Sequence, residues 1–176
     1  MDLTLEDFRV DSPWQQPDAP LSPFAVSDQI EGVELHRLVT YGDGRGDLTV
    51  LLSQHYLPDA QTPPHVYLVT AKPGSLRAWV YHKHQSDRLA FTDGALRLVL
   101  YDLRPSSPTY KCLNVIDAGA DNPLLLTIPP LVIHGVQCRG TTDARFVNMP
   151  TRAYDPANPD KYRLPWDNPG IPYSFA

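Results

Sequence analysis

Arg88-Leu89-Ala90-Phe91-Thr92-Asp93-Gly94-Ala95-Leu96-Arg97-Leu98-Val99-Leu100-Tyr101 carries the plainest structural message in the chain. Two runs rich in apolar residues flank Asp93-Gly94, a dipeptide that favours positive φ, and the pattern reads as a β-hairpin. The same grammar repeats on either side. Val33 to Val39 alternates, a Gly-rich turn from Gly42 to Gly46 follows, and Leu48 to Leu52 completes what reads as a second hairpin. His65 to Val69, Leu76 to Tyr81, Leu124 to Ile128, Leu131 to Val136 and Ala144 to Met149 are further short runs. About ten short strands without any 3.6-residue periodicity predict one all-β sandwich or barrel.

Composition supports this and narrows the function. A chain of 176 residues is long enough for one hydrophobic core. Its 19 Pro against 10 Gly exclude long helices, and with them bundles and helical solenoids. Fifteen basic and 20 acidic side chains leave a net charge of −5, which argues against a nucleic-acid partner. The start, Met1 to Asp7, lacks the pattern of a signal peptide, and no apolar run approaches the ~20 residues that cross a membrane. Cys112 and Cys138 lack metal-type spacing and fit reduced thiols, so a cytoplasmic protein is expected. Residues 1–32, with Ser12-Pro13-Trp14 and Pro20-Leu21-Ser22-Pro23-Phe24, read as an extended arm. Residues 33–176 read as a single domain, with the Pro-rich stretch from 150 onward as a cap over one end.

Four clusters carry candidate chemistry. In Val80-Tyr81-His82-Lys83-His84, strand alternation puts Val80, His82 and His84 on one face, and Lys83 beside Tyr81 marks the other as the wet one. Two inward imidazoles need hydrogen-bond partners or a ligand. His134 sits amid apolar residues in Ile128 to Gly135 and points into a pocket or to a buried hydrogen bond. Asp102-Leu103-Arg104 with Ser106 to Thr109 reads as a fixed ion pair at a strand exit. The stretch from Asp160 to Tyr173 is the fourth, and in it Asp167, between Trp166 and Pro169, reads as a turn residue or as a carboxylate that orients a His.

Together these clusters resemble the dTDP-4-dehydrorhamnose 3,5-epimerase family over roughly residues 33–173. The motifs are Asp43-Gly44-Arg45-Gly46, Gly74-Ser75-Leu76-Arg77, Tyr101-Asp102-Leu103-Arg104 with Ser107-Pro108-Thr109, Ile128-Pro129 with His134-Gly135, and Trp166-Asp167-Asn168-Pro169. The resemblance implies a cupin-type jelly-roll barrel, a homodimer that exchanges strands, and no metal or other cofactor. It also implies a nucleotide-sugar substrate, a dTDP-4-keto-6-deoxy sugar. In such enzymes a base removes a proton next to the ketone, and the enolate is reprotonated from the other face.

Carried over by motif, Arg77 contacts the diphosphate, Arg45 serves the partner's site, His134 is the second family His, and Asp167 orients the base. The base position itself, three residues after Arg77, is Val80; the family Lys falls on Asp87 and its acid Tyr on Asn148, with a second Tyr at Tyr154. Val accepts no proton and Asn gives none. The expectation is therefore a divergent epimerase or isomerase of nucleotide-sugar metabolism. His82, roughly 6.6 Å beyond Val80 on the same face, is its base, with Asp167 or Asp87 behind it. His134 and Tyr154 complete the catalytic group, and Arg77, Arg45, His84, Asp87 and Asn148 hold substrate. Two readings stay beside it: a metal-dependent cupin using His82, His84, Asp87 and His134, and a sugar-nucleotide binder without turnover.

Overall fold

The structure is a computed structural model and describes residues 4–10 and 21–175. A 3-10 turn at Leu5–Asp7 precedes thirteen strands among the described residues. In chain order these are β1 (Leu21–Phe24), β2 (Glu34–Leu38), β3 (Thr40–Asp43), β4 (Gly46–Thr49), β5 (Tyr67–Ala71), β6 (Leu76–Tyr81) and β7 (Asp87–Asp93). They continue as β8 (Ala95–Asp102), β9 (Leu113–Gly119), β10 (Leu124–Ile128), β11 (Val132–Cys138), β12 (Ala144–Asn148) and β13 (Tyr162–Arg163). Antiparallel pairing builds a six-stranded sheet, β1-β2-β10-β7-β12-β5, and a five-stranded sheet, β13-β6-β11-β8-β9; β3 and β4 form a ribbon of their own. This is the jelly-roll sandwich expected of the sequence, and its two sheets close over one core.

Alternation explains which side chains fill that core. Leu89 and Phe91 of β7, Leu124 and Leu126 of β10 and Phe146 of β12 meet Leu96, Leu98 and Leu100 of β8 and Val132 and Val136 of β11. Each such side chain contributes about 1.5–3 kcal/mol by leaving water. The residues between them face outward and are covered too. Ala90, Leu125 and Met149 lie under Leu51, Leu52 and Leu57, and Val99, Tyr101 and Ile133 lie under Ile171 and Phe175.

Three expectations change. Asp93-Gly94 does not close a hairpin: β7 lies between β10 and β12, whereas β8 lies between β11 and β9 in the other sheet. Gly94 has φ +70° and packs on β12 so closely that a Cβ would sit 2.4 Å from Ala144 Cβ. The chain turns a corner there, which places Leu89 and Phe91 across the core from Leu96 and Leu98. The Gly-rich turn closes only the β3–β4 ribbon, and β2 pairs with β1 and β10. Finally, Leu21–Phe24 forms an edge strand, and Ile30 is fully buried with its N–H donated to Asn114 Oδ1 at 2.9 Å. The part of the arm from Leu21 onward is thus built into the sandwich; the aromatic-Pro stretch around Trp14 lies outside the described residues.

The strand-exit cluster is structural, as its sequence suggests. Asp102 is fully buried, and Arg104 reaches it through Nε at 2.9 Å and Nη2 at 2.8 Å. Ser107 and Thr109 donate their hydroxyls to the same carboxylate at 2.7 and 2.8 Å. Burial opposes the charge, but the guanidinium and hydroxyl donors hold this carboxyl well below the usual range.

Candidate functional site

One end of the sandwich holds the inward-pointing polar residues. β7 begins with Asp87, two residues before inward Leu89; β12 ends on Asn148, two after inward Phe146; and Tyr67, which starts β5, stands opposite Asn148 in register. On the other sheet, His134 pairs with Leu100 on one side and Val80 on the other. His82 follows the end of β6 and is buried on the same side. The segment Pro150 to Arg163 closes over these residues and leaves a cavity of about 640 Å³ lined by Tyr67, His82, Tyr154, Asp160 and Lys161 among others. That volume is within the range of small-molecule sites.

His82, which lines this cavity, forms a buried cluster with Asp87 and His134, each more than nine-tenths buried. Asp87 Oδ2 lies 3.3 Å from His82 Nε2 and 3.6 Å from His134 Nε2. Its other oxygen, Oδ1, accepts from the Gln85 side-chain amide at 2.7 Å. A carbonyl can only accept, so the protons of the Nδ1 atoms are fixed: His82 donates to the Asp160 carbonyl, and His134 donates to the Val132 carbonyl at 3.1 Å. Burial works against a charged His82, but the Asp87 carboxylate and the Asp160 carbonyl outweigh it and raise the imidazole's pKa. Burial likewise opposes the Asp87 charge, yet the two imidazoles hold its pKa far below the ordinary range.

A second device fixes the turn that carries His82. The Asp160 carboxylate accepts the main-chain N–H groups of Lys83, His84 and Gln85 at 2.8, 2.9 and 3.0 Å. One residue therefore grips the His82 ring with its carbonyl and the following turn with its side chain. Opposite, the Asn148 amide donates to the Tyr67 oxygen at 2.8 Å. That bond uses a lone pair of the phenol oxygen and leaves its proton for another acceptor. Burial and the nearby Asp87 charge raise the Tyr67 pKa, which keeps that proton in place at neutral pH.

The structure brings together His82, Asp87, His134, Asn148 and Tyr154 from the sequence reading, and Arg77 stands on the adjoining strand with Nη2 3.4 Å from the Thr70 carbonyl. Two others, Asp167 and Arg45, lie elsewhere, whereas His84 lines the same cavity from its exposed turn. β6 ends at Tyr81, so His84 does not share the face of His82; it is exposed in the turn held by Asp160. Asp167 is exposed in a shallow surface cleft with Tyr173 and Phe175. The tail there is pinned outside the five-stranded sheet, where Leu164 exchanges main-chain bonds with Trp79 and the Trp79 indole donates to the Trp166 carbonyl at 3.0 Å. Asp87, not Asp167, is the carboxylate beside His82. Arg45 is at the tip of the β3–β4 ribbon, ion-paired with Asp43 at 2.5 Å and away from the cavity of its own chain. Tyr67, Gln85, Asp160 and Lys161 fall within runs that the sequence marks but receive no role of their own there. Tyr67 was accessible through its alternation with Val69 and Ala71; the Pro-rich segment around Asp160 has no period to read.

Known proteins share this architecture. Residues 27–175 match the dTDP-4-dehydrorhamnose 3,5-epimerase family. The chain is 34% identical over 152 residues to the spore coat polysaccharide biosynthesis protein SpsL of Bacillus subtilis, covering 83% of this chain and 96% of that one. It is 32% identical over 141 residues to a probable low-salt glycan biosynthesis epimerase of Haloferax volcanii, covering 78% and 89%. The crystal structure of a dTDP sugar isomerase from Desulfovibrio desulfuricans superposes with a TM-score of 0.77 at 30% identity, over 82% of this chain and 91% of that one. With its barrel-end cavity and buried His–carboxylate cluster, the chain belongs to the dTDP-4-dehydrorhamnose 3,5-epimerase family of sugar-nucleotide epimerases and isomerases.

Proposed function

We propose that this protein moves a proton at a carbon next to the ketone of a dTDP-4-keto-6-deoxy sugar, with His82 as base and Tyr67 as acid. The observation that carries the reading is the pairing of a buried His–carboxylate dyad with a phenol whose proton is free, in one cavity. His82 Nδ1–H is committed to the Asp160 carbonyl, so Nε2, which faces Asp87 Oδ2, is the ring nitrogen that gains and gives up a proton. Asp87 Oδ2, at 3.3 Å, stabilises the imidazolium that forms. Tyr67 then gives its proton to the enolate carbon. Lys161 at the cavity wall and Arg77 on β6 supply positive charge for the enolate oxygen and the diphosphate. The residues lost at the family's base and acid positions, Val80 and Asn148, are thus replaced from close by: His82 two residues on, and Tyr67 from the register partner of Asn148.

The reading includes a cytoplasmic homodimer. Free Cys112 and Cys138 suit a reducing compartment, and the exposure of Arg45 on its ribbon supports a role for it in the site of a second subunit. Deuterium wash-in decides the chemistry. In D2O, the enzyme should exchange hydrogen next to the ketone of a dTDP-4-keto-6-deoxy sugar, and His82→Ala should abolish the exchange. Tight binding of the nucleotide sugar with no exchange in the wild-type chain would instead mark a binder without turnover.

A further inference from the structure

The dyad has a feature that proton transfer alone leaves unused. Both imidazoles of the cluster have Nδ1–H tied to a main-chain carbonyl, so both Nε2 lone pairs point at the same carboxylate oxygen. Gln85 occupies Asp87 Oδ1, which leaves Oδ2 as the third lone-pair donor. One ligand atom from each of the three residues lies within 4.8 Å of the other two, and the residues are 7%, 5% and 8% exposed. One proton on His82 Nε2 answers one of the two contacts to Oδ2 and leaves His134 Nε2 facing an anion.

We propose that His82 Nε2, His134 Nε2 and Asp87 Oδ2 bind a divalent first-row transition ion, and that the bound ion switches the enzyme off. Bonds of about 2.0–2.2 Å in a tetrahedral site set ligand atoms about 3.3–3.6 Å apart. The two contacts to Asp87 Oδ2, 3.3 and 3.6 Å, already have that spacing. Two imidazoles and one carboxylate suit Zn²⁺, Co²⁺ or Ni²⁺ and are a poor match for Mg²⁺ or Ca²⁺. The Asp160 and Val132 carbonyls and the Gln85 amide supply the outer hydrogen bonds that fix ligand orientation in metal sites. His84, exposed in its turn, is not a ligand. The blocking effect rests on the proposed role of His82: a coordinated Nε2 has surrendered the lone pair that would take the substrate proton.

The test uses untagged full-length chain freed of metal by a chelator and titrated with Co²⁺. Visible absorption bands of low-coordinate Co²⁺ should appear at one equivalent per chain. Asp87→Asn and His134→Ala should each weaken binding by about 100-fold or more, whereas His84→Ala should leave the spectrum unchanged. Two exchangeable, paramagnetically shifted ring N–H signals in the wild-type chain would identify two His ligands even where a variant fails to fold. Added Zn²⁺ should suppress deuterium wash-in and a chelator should restore it. Absence of Co²⁺ bands at millimolar metal, or bands that survive in folded Asp87→Asn, would overturn the site. Wash-in that requires added metal would overturn the blocking role. Wash-in missing in both metal-free and metal-loaded chain would count against the base assignment, and the cobalt titration would still decide the site.

Discussion

Tyr67 and Asn148 face each other in register across β5 and β12, and the Asn148 amide donates to the Tyr67 oxygen at 2.8 Å. Neighbouring strands place inward side chains about 5 Å apart. A phenol moved from one strand to its partner therefore still serves the same cavity. In the proposed mechanism the acid role that the family resemblance puts at Asn148 falls to its register partner, Tyr67.

Tyr67→Phe tests this directly. The ring and its packing stay, and the proton is lost. Net isomerisation of the keto sugar should fall by about 10²–10⁴-fold, while deuterium exchange by His82 persists at a reduced rate. Asn148→Ala keeps the phenol and removes its partner, so its loss should be smaller. Equal turnover in wild type and Tyr67→Phe would remove Tyr67 from the mechanism.

Asp160 is a positioning residue. Its carbonyl remains in any substitution, but Asp160→Ala removes the carboxylate that accepts three N–H groups from the His82 turn. The amides of Lys83, His84 and Gln85 should lose their protection in hydrogen-exchange mass spectrometry. kcat should drop about tenfold or more through misplacement of His82, with a smaller effect on KM. Asp160→Asn retains one acceptor oxygen and should recover part of both. Unchanged exchange at residues 83–85 would show that the turn holds without this carboxylate.

Much of the fold was legible because its strands keep their alternation. Leu96, Leu98 and Leu100 face inward and Val99 and Tyr101 outward, as written. β9 escaped because its inward positions begin with Asn114, which is buried to hold the Ile30 N–H and the Asp28 carbonyl, and because outward Val115 is exposed. A polar residue inside and an apolar one outside erase the pattern. In the site, His82 and His134 stand out as polar residues in or beside apolar runs, whereas Asp87 and Asn148 enter only through the family resemblance. Choosing between Asp160 and Asp167 was not possible, since both stand in an aperiodic Pro-rich tail whose path is set by distant contacts of Trp79.

Asp102 should contribute to the acid limb of stability. Its folded-state pKa lies below the unfolded value of about 3.9, so the carboxylate stabilises the fold at higher pH. That contribution is lost as pH falls below the unfolded value toward the folded one. Asp102→Ala should cost about 3 kcal/mol at pH 7, the low end for a broken buried pair, because the Arg104 side chain is 19% exposed and can be solvated. Urea denaturation from pH 7 to pH 2 should show a shallower stability loss in the variant than in wild type. Parallel curves would assign the acid sensitivity to other carboxylates.

Gly94 decides how the two sheets join, and its replacement separates a corner from a hairpin. In a hairpin loop open to solvent, Ala at this position would meet only the cost of φ +70° for a residue with a Cβ, about 1–2 kcal/mol. Here the new methyl would also sit 2.4 Å from Ala144 Cβ and 2.6 Å from Ala144 Cα, and β12 cannot retreat without disturbing Phe146. Overpacking of that kind adds about 1–3 kcal/mol, so Gly94→Ala should destabilise by about 3 kcal/mol in chemical denaturation. Ala144→Gly should relieve part of that loss when combined with it, which a double-mutant cycle would read as coupling between positions on different connections of the chain. Additive effects of the two substitutions would contradict the packing of Gly94 on β12.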